Sequence, residues 1–179
     1  IRYSDWSSDV CSSDLKDVAK EAQVNEVTLF RQFGSKKELL LTTLKEAEWI
    51  PSVNKEIYDQ FQWELTSDLR LMMEAYLTQV TPEIVRFSLG LRAQEICHET
   101  MPYIEKIPTA FIQTLEDYLI RMKSKKQVKI HDPKKSAEII FSSMIGFAFL
   151  HAYSSSDQYE KEVEIFISDA IDHFIYGLI

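Results

Sequence analysis

At 179 residues, 45% apolar and 27% charged, the chain has the composition of an ordinary globular domain with room for a real core. Four Gly and five Pro supply too few turns for an all-β fold. No run approaches the about 18 apolar residues of a membrane-spanning helix. The net charge of −8 is unevenly spread: Lys16, Lys20, Arg31, Lys36, Lys37 and Lys45 outnumber Asp17, Glu21, Glu26 and Glu38 in residues 16–45, so a mildly basic head precedes an acidic body.

The first segment, residues 1–14, does not read as a signal peptide, because it has no basic region followed by an apolar run. Asp5 to Leu15, DWSSDVCSSDL, instead resembles the translated end of a widely used DNA-sequencing adapter. The expectation is that residues 1–14 are an artefact and not native sequence; the alternative is a genuine Ser/Asp-rich arm. Cys11 and Cys97 are the two cysteines, with no zinc spacing around them, and a reducing, cytoplasmic setting is the default.

From Leu15 the pattern is helical throughout. Leu15 to Ala22 places Val18, Ala19 and Ala22 on one buried face. Asn25 is a good N-cap for a second helix running to Phe33, where Gly34 stops it. Ser35 then caps a third helix, with Glu38 completing a capping box, and its apolar period lasts until Pro51.

Two short helices separated by Gln23-Val24-Asn25 have helix-turn-helix dimensions, with Val24 as an apolar plug. In such a motif the second helix enters the major groove, N-terminal residues first. Those are Glu26, Val27 and Thr28. The Thr28 hydroxyl can bond base or phosphate, and its methyl or that of Val27 can meet a thymine methyl. Arg31 and Gln32 lie further along for phosphate or base edges. Lys36 and Lys37 sit in the first turn of the next helix, where ammonium groups and the helix dipole favour a phosphate. The plain alternative is a helical hairpin with solvated lysines.

The stretch LKDVAKEAQVNEVTLFRQFGSKKELL, Leu15 to Leu40, resembles the DNA-binding signature of the TetR family of bacterial repressors. The matching pieces are Val18-Ala19, Ala22, Val24, Thr28-Leu29-Phe30, Phe33, Ser35-Lys36 and Leu39-Leu40. The resemblance implies DNA contacts at Thr28, Phe30 and Lys36. Phe30 stands where Tyr is usual, which removes one hydroxyl bond to phosphate. Gln23 stands where Gly is usual and puts strain on a turn that favours positive φ. Such domains also carry a helix before the motif, whose place here is taken by the Ser/Asp-rich segment. A head lacking that helix is expected to bind DNA poorly.

Beyond Pro51, breaks are expected at Thr81-Pro82, around Met101-Pro102 and at Ile107-Pro108. The basic run Lys123 to Lys129 reads as a solvated helix end. Asp132 before Pro133 starts a long helix, about 133–153, whose stretch Ile139 to Tyr153 is apolar on almost every side. A last amphipathic helix, about 157–178, aligns Val163, Phe166, Ile167, Ala170, Ile171, Phe174, Ile175 and Leu178.

The resemblance implies that this body binds a small molecule and dimerises through its last two long helices. Trp63, Met72, Tyr76, Phe87, Leu91, Phe111, Phe141 and Met144 are the candidate pocket residues, although at helical spacing each also reads as plain core. Ser143, Phe147, Phe166, Ala170 and Phe174 are the candidate dimer interface, with Ser142 and Gly146 permitting close approach.

Glu95-x-x-His98 has the spacing of half a di-iron site, but no second half exists. No nucleophile triad, phosphate loop or metalloprotease motif is present. The expectation is therefore an all-α, non-enzymatic protein with no metal or cofactor. Residues 15–48 form a partial helix-turn-helix head and 49–179 a ligand-binding and dimerisation body. Its expected partners are double-stranded operator DNA, a small-molecule effector and a second copy of itself, with no membrane. The function expected is a transcriptional repressor released from its operator by the effector; the alternative is a helical small-molecule-binding dimer without DNA-binding activity.

Overall fold

The computed structural model describes residues 15–45, 55–92, 97–154 and 158–178. These residues form ten α-helices and no strand: α1 (Leu15–Glu21), α2 (Glu26–Phe33), α3 (Lys36–Lys45), α4 (Lys55–Tyr58), α5 (Leu65–Leu77), α6 (Pro82–Arg92), α7 (Cys97–Ile104), α8 (Lys106–Ser124), α9 (Pro133–Ala152) and α10 (Tyr159–Leu178). The fold is all-α, and no described helix is long and apolar enough to cross a membrane. Residues 1–14 and the end of the predicted third helix before Pro51 lie outside the described residues.

The chain divides into two compact units, residues 1–48 with 86–105, and residues 49–85 with 106–179. In the first, the head, α1 packs on α2, α2 on α3, and α3 on α7. Its core is thin: Ala19, Leu29, Leu41 and Leu44 are the buried side chains of the first three helices.

In the second unit, the body, α8 packs along α9, α10 pairs with α5, and α9 also meets α5 and α10. Leu69, Met73, Leu77, Leu119, Ala137, Met144, Ala148 and Ala152 are wholly removed from solvent, a core built from the helical period of each element. One charged group is buried among them. Asp68 of α5 accepts from the backbone N–H groups of Gln62 (2.9 Å) and Glu64 (3.1 Å) and from the Tyr118 hydroxyl of α8 (3.0 Å). Three donors replace the water this carboxylate gives up. Burial, reinforced by the Asp68 charge, pushes the Tyr118 hydroxyl well above the ordinary tyrosine range, so it remains a donor.

Local signals place most helix ends. Asp132 caps α9 by accepting from the Lys135 N–H, with Pro133 at the first helical position. Glu64 caps α5 in the same manner, accepting from Thr66 and Ser67, and those bonds hold its carboxyl below the usual range. Pro82 opens α6, as the sequence predicts.

The prolines further on behave differently from expectation. Pro102 lies inside α7 and Pro108 in the first turn of α8, so no break falls at either; the chain interrupts its helix once, at Glu105. Pro108 costs nothing there, because the first N–H groups of a helix have no intrahelical partner. Pro102 forfeits one bond close to the end of α7, a loss the short helix sustains for only two more residues.

The apolar helix α9 has two characters within one chain. Ala137, Ile140, Phe141, Met144 and Ala148 are buried, whereas Ile139, Phe149 and Leu150 are 60%, 43% and 71% exposed.

Candidate nucleic-acid interface

The geometry of the head begins with how α1 ends. The Gln23 N–H donates to Lys20 O (3.2 Å) and the Val24 N–H to Ala19 O (2.9 Å), the paired bonds of a Schellman motif. That motif puts the residue after the cap in the left-handed region, and Gln23 has φ 55°. The strain expected from a side chain at this position is therefore present. Val24 differs from its predicted part as a plug: it remains 42% exposed, and Ala19 (3%) and Leu29 (8%) make the buried contact between the two helices.

Asn25 then starts α2, its side chain accepting from the Val27 N–H at 2.9 Å. Gly34 ends the helix at φ 73°, donating to Phe30 O, a conformation that suits a residue without Cβ. Ser35 Oγ accepts from the Glu38 N–H at 3.1 Å and so caps α3. These three caps, close together in the chain, fix the direction of α2 and bring the N-terminus of α3 close to its C-terminus.

With Leu29 turned inward, α2 directs the rest of its predicted site outward. Val27, Thr28, Phe30, Arg31 and Gln32 are exposed, and Glu26 is half-buried in the first turn. These side chains cover an arc that offers a carboxylate, two apolar groups, a hydroxyl, an amide and a guanidinium. On α3, Lys36 is half-buried and Lys37 is exposed. Lys37 is already engaged: its ammonium lies 2.6 Å from Glu99 Oε1 of α7, within the same unit. The hydrogen bond to Glu99 pushes the Lys37 ammonium above its usual range. Glu99 is the one participant that sequence reasoning misses, since nothing near Lys37 in the chain signals a partner 62 residues away.

The candidate pocket residues fall into three places. Tyr76, Phe111 and Phe141 form a mutual aromatic cluster in the body, with ring centroids 5.1, 5.3 and 5.6 Å apart. Met72 and Met144 are buried in the same unit. Trp63 belongs to another cluster, stacked on Tyr118 (5.9 Å, 17°) and edge-on to Phe61, with the Lys125 ammonium 3.8 Å above its ring. Lys125 and Lys123, which donates to His131 O, give part of the basic run a structural use beyond a solvated helix end. Phe87 and Leu91 fall in the head unit.

Of the candidate dimer residues, Phe147 and Phe166 stack on one another at 4.3 Å within the chain, and Ser143, Ala170 and Phe174 are half-buried along α9 and α10. Beside them the His151 ring lies 4.2 Å from Phe147 and 3.0 Å from Glu162. Among the described residues no His, Cys, Asp and Glu side chains gather in threes where a metal ion could bind, and Glu95 lies outside those residues.

Comparison with known proteins agrees with this arrangement. Residues 13–43 match the family described as bacterial regulatory proteins, tetR family. An uncharacterised HTH-type transcriptional regulator, YvkB of Bacillus subtilis (strain 168), is 24% identical over 147 residues, covering 82% of this chain and 76% of that protein. The crystal structure of a putative TetR-family transcriptional regulator from Rhodococcus sp. shares the fold at a TM-score of 0.56 and 16% identity, covering 88% of this chain and 87% of that one. The capped helix-turn-helix with its outward-facing second helix is thus similar to the DNA-binding head of the tetR family, and the all-α fold is similar to that of a TetR-family structure.

Proposed function

We propose that this protein is a DNA-binding transcriptional regulator of the TetR family, a homodimeric repressor that a small-molecule effector releases from its operator. The observation that carries this reading is the outer face of α2: a helix fixed at both ends by caps, with Thr28, Arg31 and Gln32 all exposed. Glu26, Val27 and Thr28 reach base edges first, Arg31 and Gln32 come after them, and Lys36 and Lys37 hold the phosphate backbone. Phe30 contributes its ring.

A single helix reads too few bases to select one site, and a two-fold dimer doubles that number. The dimer is supported by the exposed Ile139, Phe149 and Leu150 beside half-buried Ser143 and Phe147 on α9, an apolar stripe that a second copy covers by helix-on-helix packing. Phe166, Ala170 and Phe174 on α10 continue it. Two heads then meet half-sites about 34–36 Å apart, or a multiple of that spacing.

The effector's place is in the body beside the packed Tyr76, Phe111 and Phe141 cluster and Met72 and Met144, whose side chains must part to admit an apolar, ring-bearing molecule. A molecule binding there changes the freedom of the heads and lowers their joint affinity for DNA, and by linkage DNA lowers affinity for the effector to the same degree. An electrophoretic mobility shift with the duplex upstream of the protein's own gene tests the reading. A salt-sensitive, specific complex is expected, weakened by replacing Arg31 or Thr28 with Ala. A complex no tighter than that with an unrelated duplex would defeat it.

A further inference from the structure

Beside its polar groups, α2 carries two large apolar side chains that the head does not cover. Val27 is 61% exposed and Phe30 58% exposed, three residues apart and so on neighbouring positions of one helix face. Val24, in the turn before, adds a third apolar surface at 42%. No other residue of α2 is both large, apolar and uncovered, because Leu29 and Phe33 turn toward the head. Neither Val27 nor Phe30 can bond a phosphate: the first has no polar atom in its side chain and the second lacks the phenolic hydroxyl.

The major groove offers one apolar recognition group, the C5 methyl of thymine. Successive positions three apart on a helix advance by about 4.5 Å, close to one base-pair step of about 3.4 Å. We propose that Val27 and Phe30 form an apolar pair that reads the C5 methyls of two thymines on neighbouring base pairs of each half-site. The proposal rests on α2 being the helix that enters the groove. It deepens that reading by assigning a specificity: thymine is chosen over cytosine and uracil at these steps by its methyl group, while Arg31 and the lysines of α3 supply sequence-independent attraction. Thymine and uracil present the same hydrogen-bonding groups in the groove, which makes the methyl testable by itself.

The experiment selects duplexes from a random-sequence pool with the full chain, then replaces each thymine of the selected duplex singly by deoxyuridine and measures affinity by fluorescence anisotropy. Two neighbouring base pairs are expected to lose affinity about 3- to 5-fold on losing a methyl, the effect of burying one such group. Val27→Ala should abolish the sensitivity at one of them and Phe30→Ala at the other. Both side chains are exposed, so helix content by circular dichroism should not change. Equal affinity for all the deoxyuridine duplexes overturns the proposal, as does sensitivity that survives in both variants; weakening by Thr28→Ala or Arg31→Ala then leaves α2 as the groove helix. Failure to select any sequence overturns both the pairing and the reading it rests on.

Discussion

α1 in the head and α8 in the body end in the same way. Each closes with the two bonds of a Schellman motif, and each places a residue with a side chain in the left-handed region, Gln23 at φ 55° and Lys126 at φ 58°. Past these turns the two regions part ways. After Lys126 the chain buries Val128 and Ile130, and Met122 in the last turns of α8 is 1% exposed. After Gln23 it leaves Val24 largely exposed, and α1 contributes only Ala19 to a core of a few side chains. The strained residue is thus held by deep packing in the body and by caps in the head. The head should therefore open at the lower free energy.

The largest effect that sharpens this contrast is in the body. Phe111, 1% exposed and in ring contact with both Tyr76 and Phe141, should cost about 3–5 kcal/mol when replaced by Ala, through lost burial and the cavity left behind. Chemical denaturation followed by near-ultraviolet circular dichroism measures it. A loss below about 1 kcal/mol would mean the site collapses freely and is no packed core. In the head the corresponding test is a cap. Asn25→Ala removes the acceptor for the Val27 N–H and should cost about 1 kcal/mol. Amide exchange in α2 should accelerate while the α5 and α8 amides keep their protection; equal acceleration in all three would make the two units one cooperative structure.

Gln23→Gly has the opposite sign. Glycine adopts φ 55° without a Cβ penalty, so the head should gain up to about 1 kcal/mol, offset in part by greater freedom of the unfolded chain. The same change at Lys126 should gain a similar amount for the body. Comparing the two by denaturation isolates the cap from its surroundings.

The features legible in the sequence are those whose cause is local. Asn25, Gly34, Ser35 and Asp132-Pro133 each act on backbone groups within four residues, so their spacing alone predicts the helix end; of the expected capping box only the Ser35 half forms, since the Ser35 N–H donates to Phe33 O. The outward set on α2 is legible for the same reason, since once the caps are placed a period of 3.6 dictates which side chains face away from Leu29. Pro102 misleads because a proline's effect depends on how much helix remains beyond it. The Asp68–Tyr118 pair spans 50 residues and the Lys37–Glu99 pair 62, and neither leaves a local mark. Trp63 shows the same limit: composition marks it as an aromatic for a cavity, whereas its ring is taken up by Tyr118 and Lys125.

The smallest expected effect concerns that unforeseen pair at the edge of the proposed DNA-binding surface. Lys37 and Glu99 are about half exposed, so solvent and salt screen their attraction and it adds little to stability. Its consequence for binding is more informative. A phosphate that takes the Lys37 ammonium must draw it from Glu99, which then needs a counterion of its own, and the net release of ions falls. Glu99→Gln frees Lys37 from this competition. The plot of log affinity against log salt should steepen by about 0.9, the value of one phosphate contact, and affinity at low salt should rise several-fold. Lys37→Ala should abolish both changes when combined with it. If Glu99→Gln leaves the slope unaltered, Lys37 serves only to join α3 to α7, and phosphate binding at the N-terminus of α3 falls to Lys36.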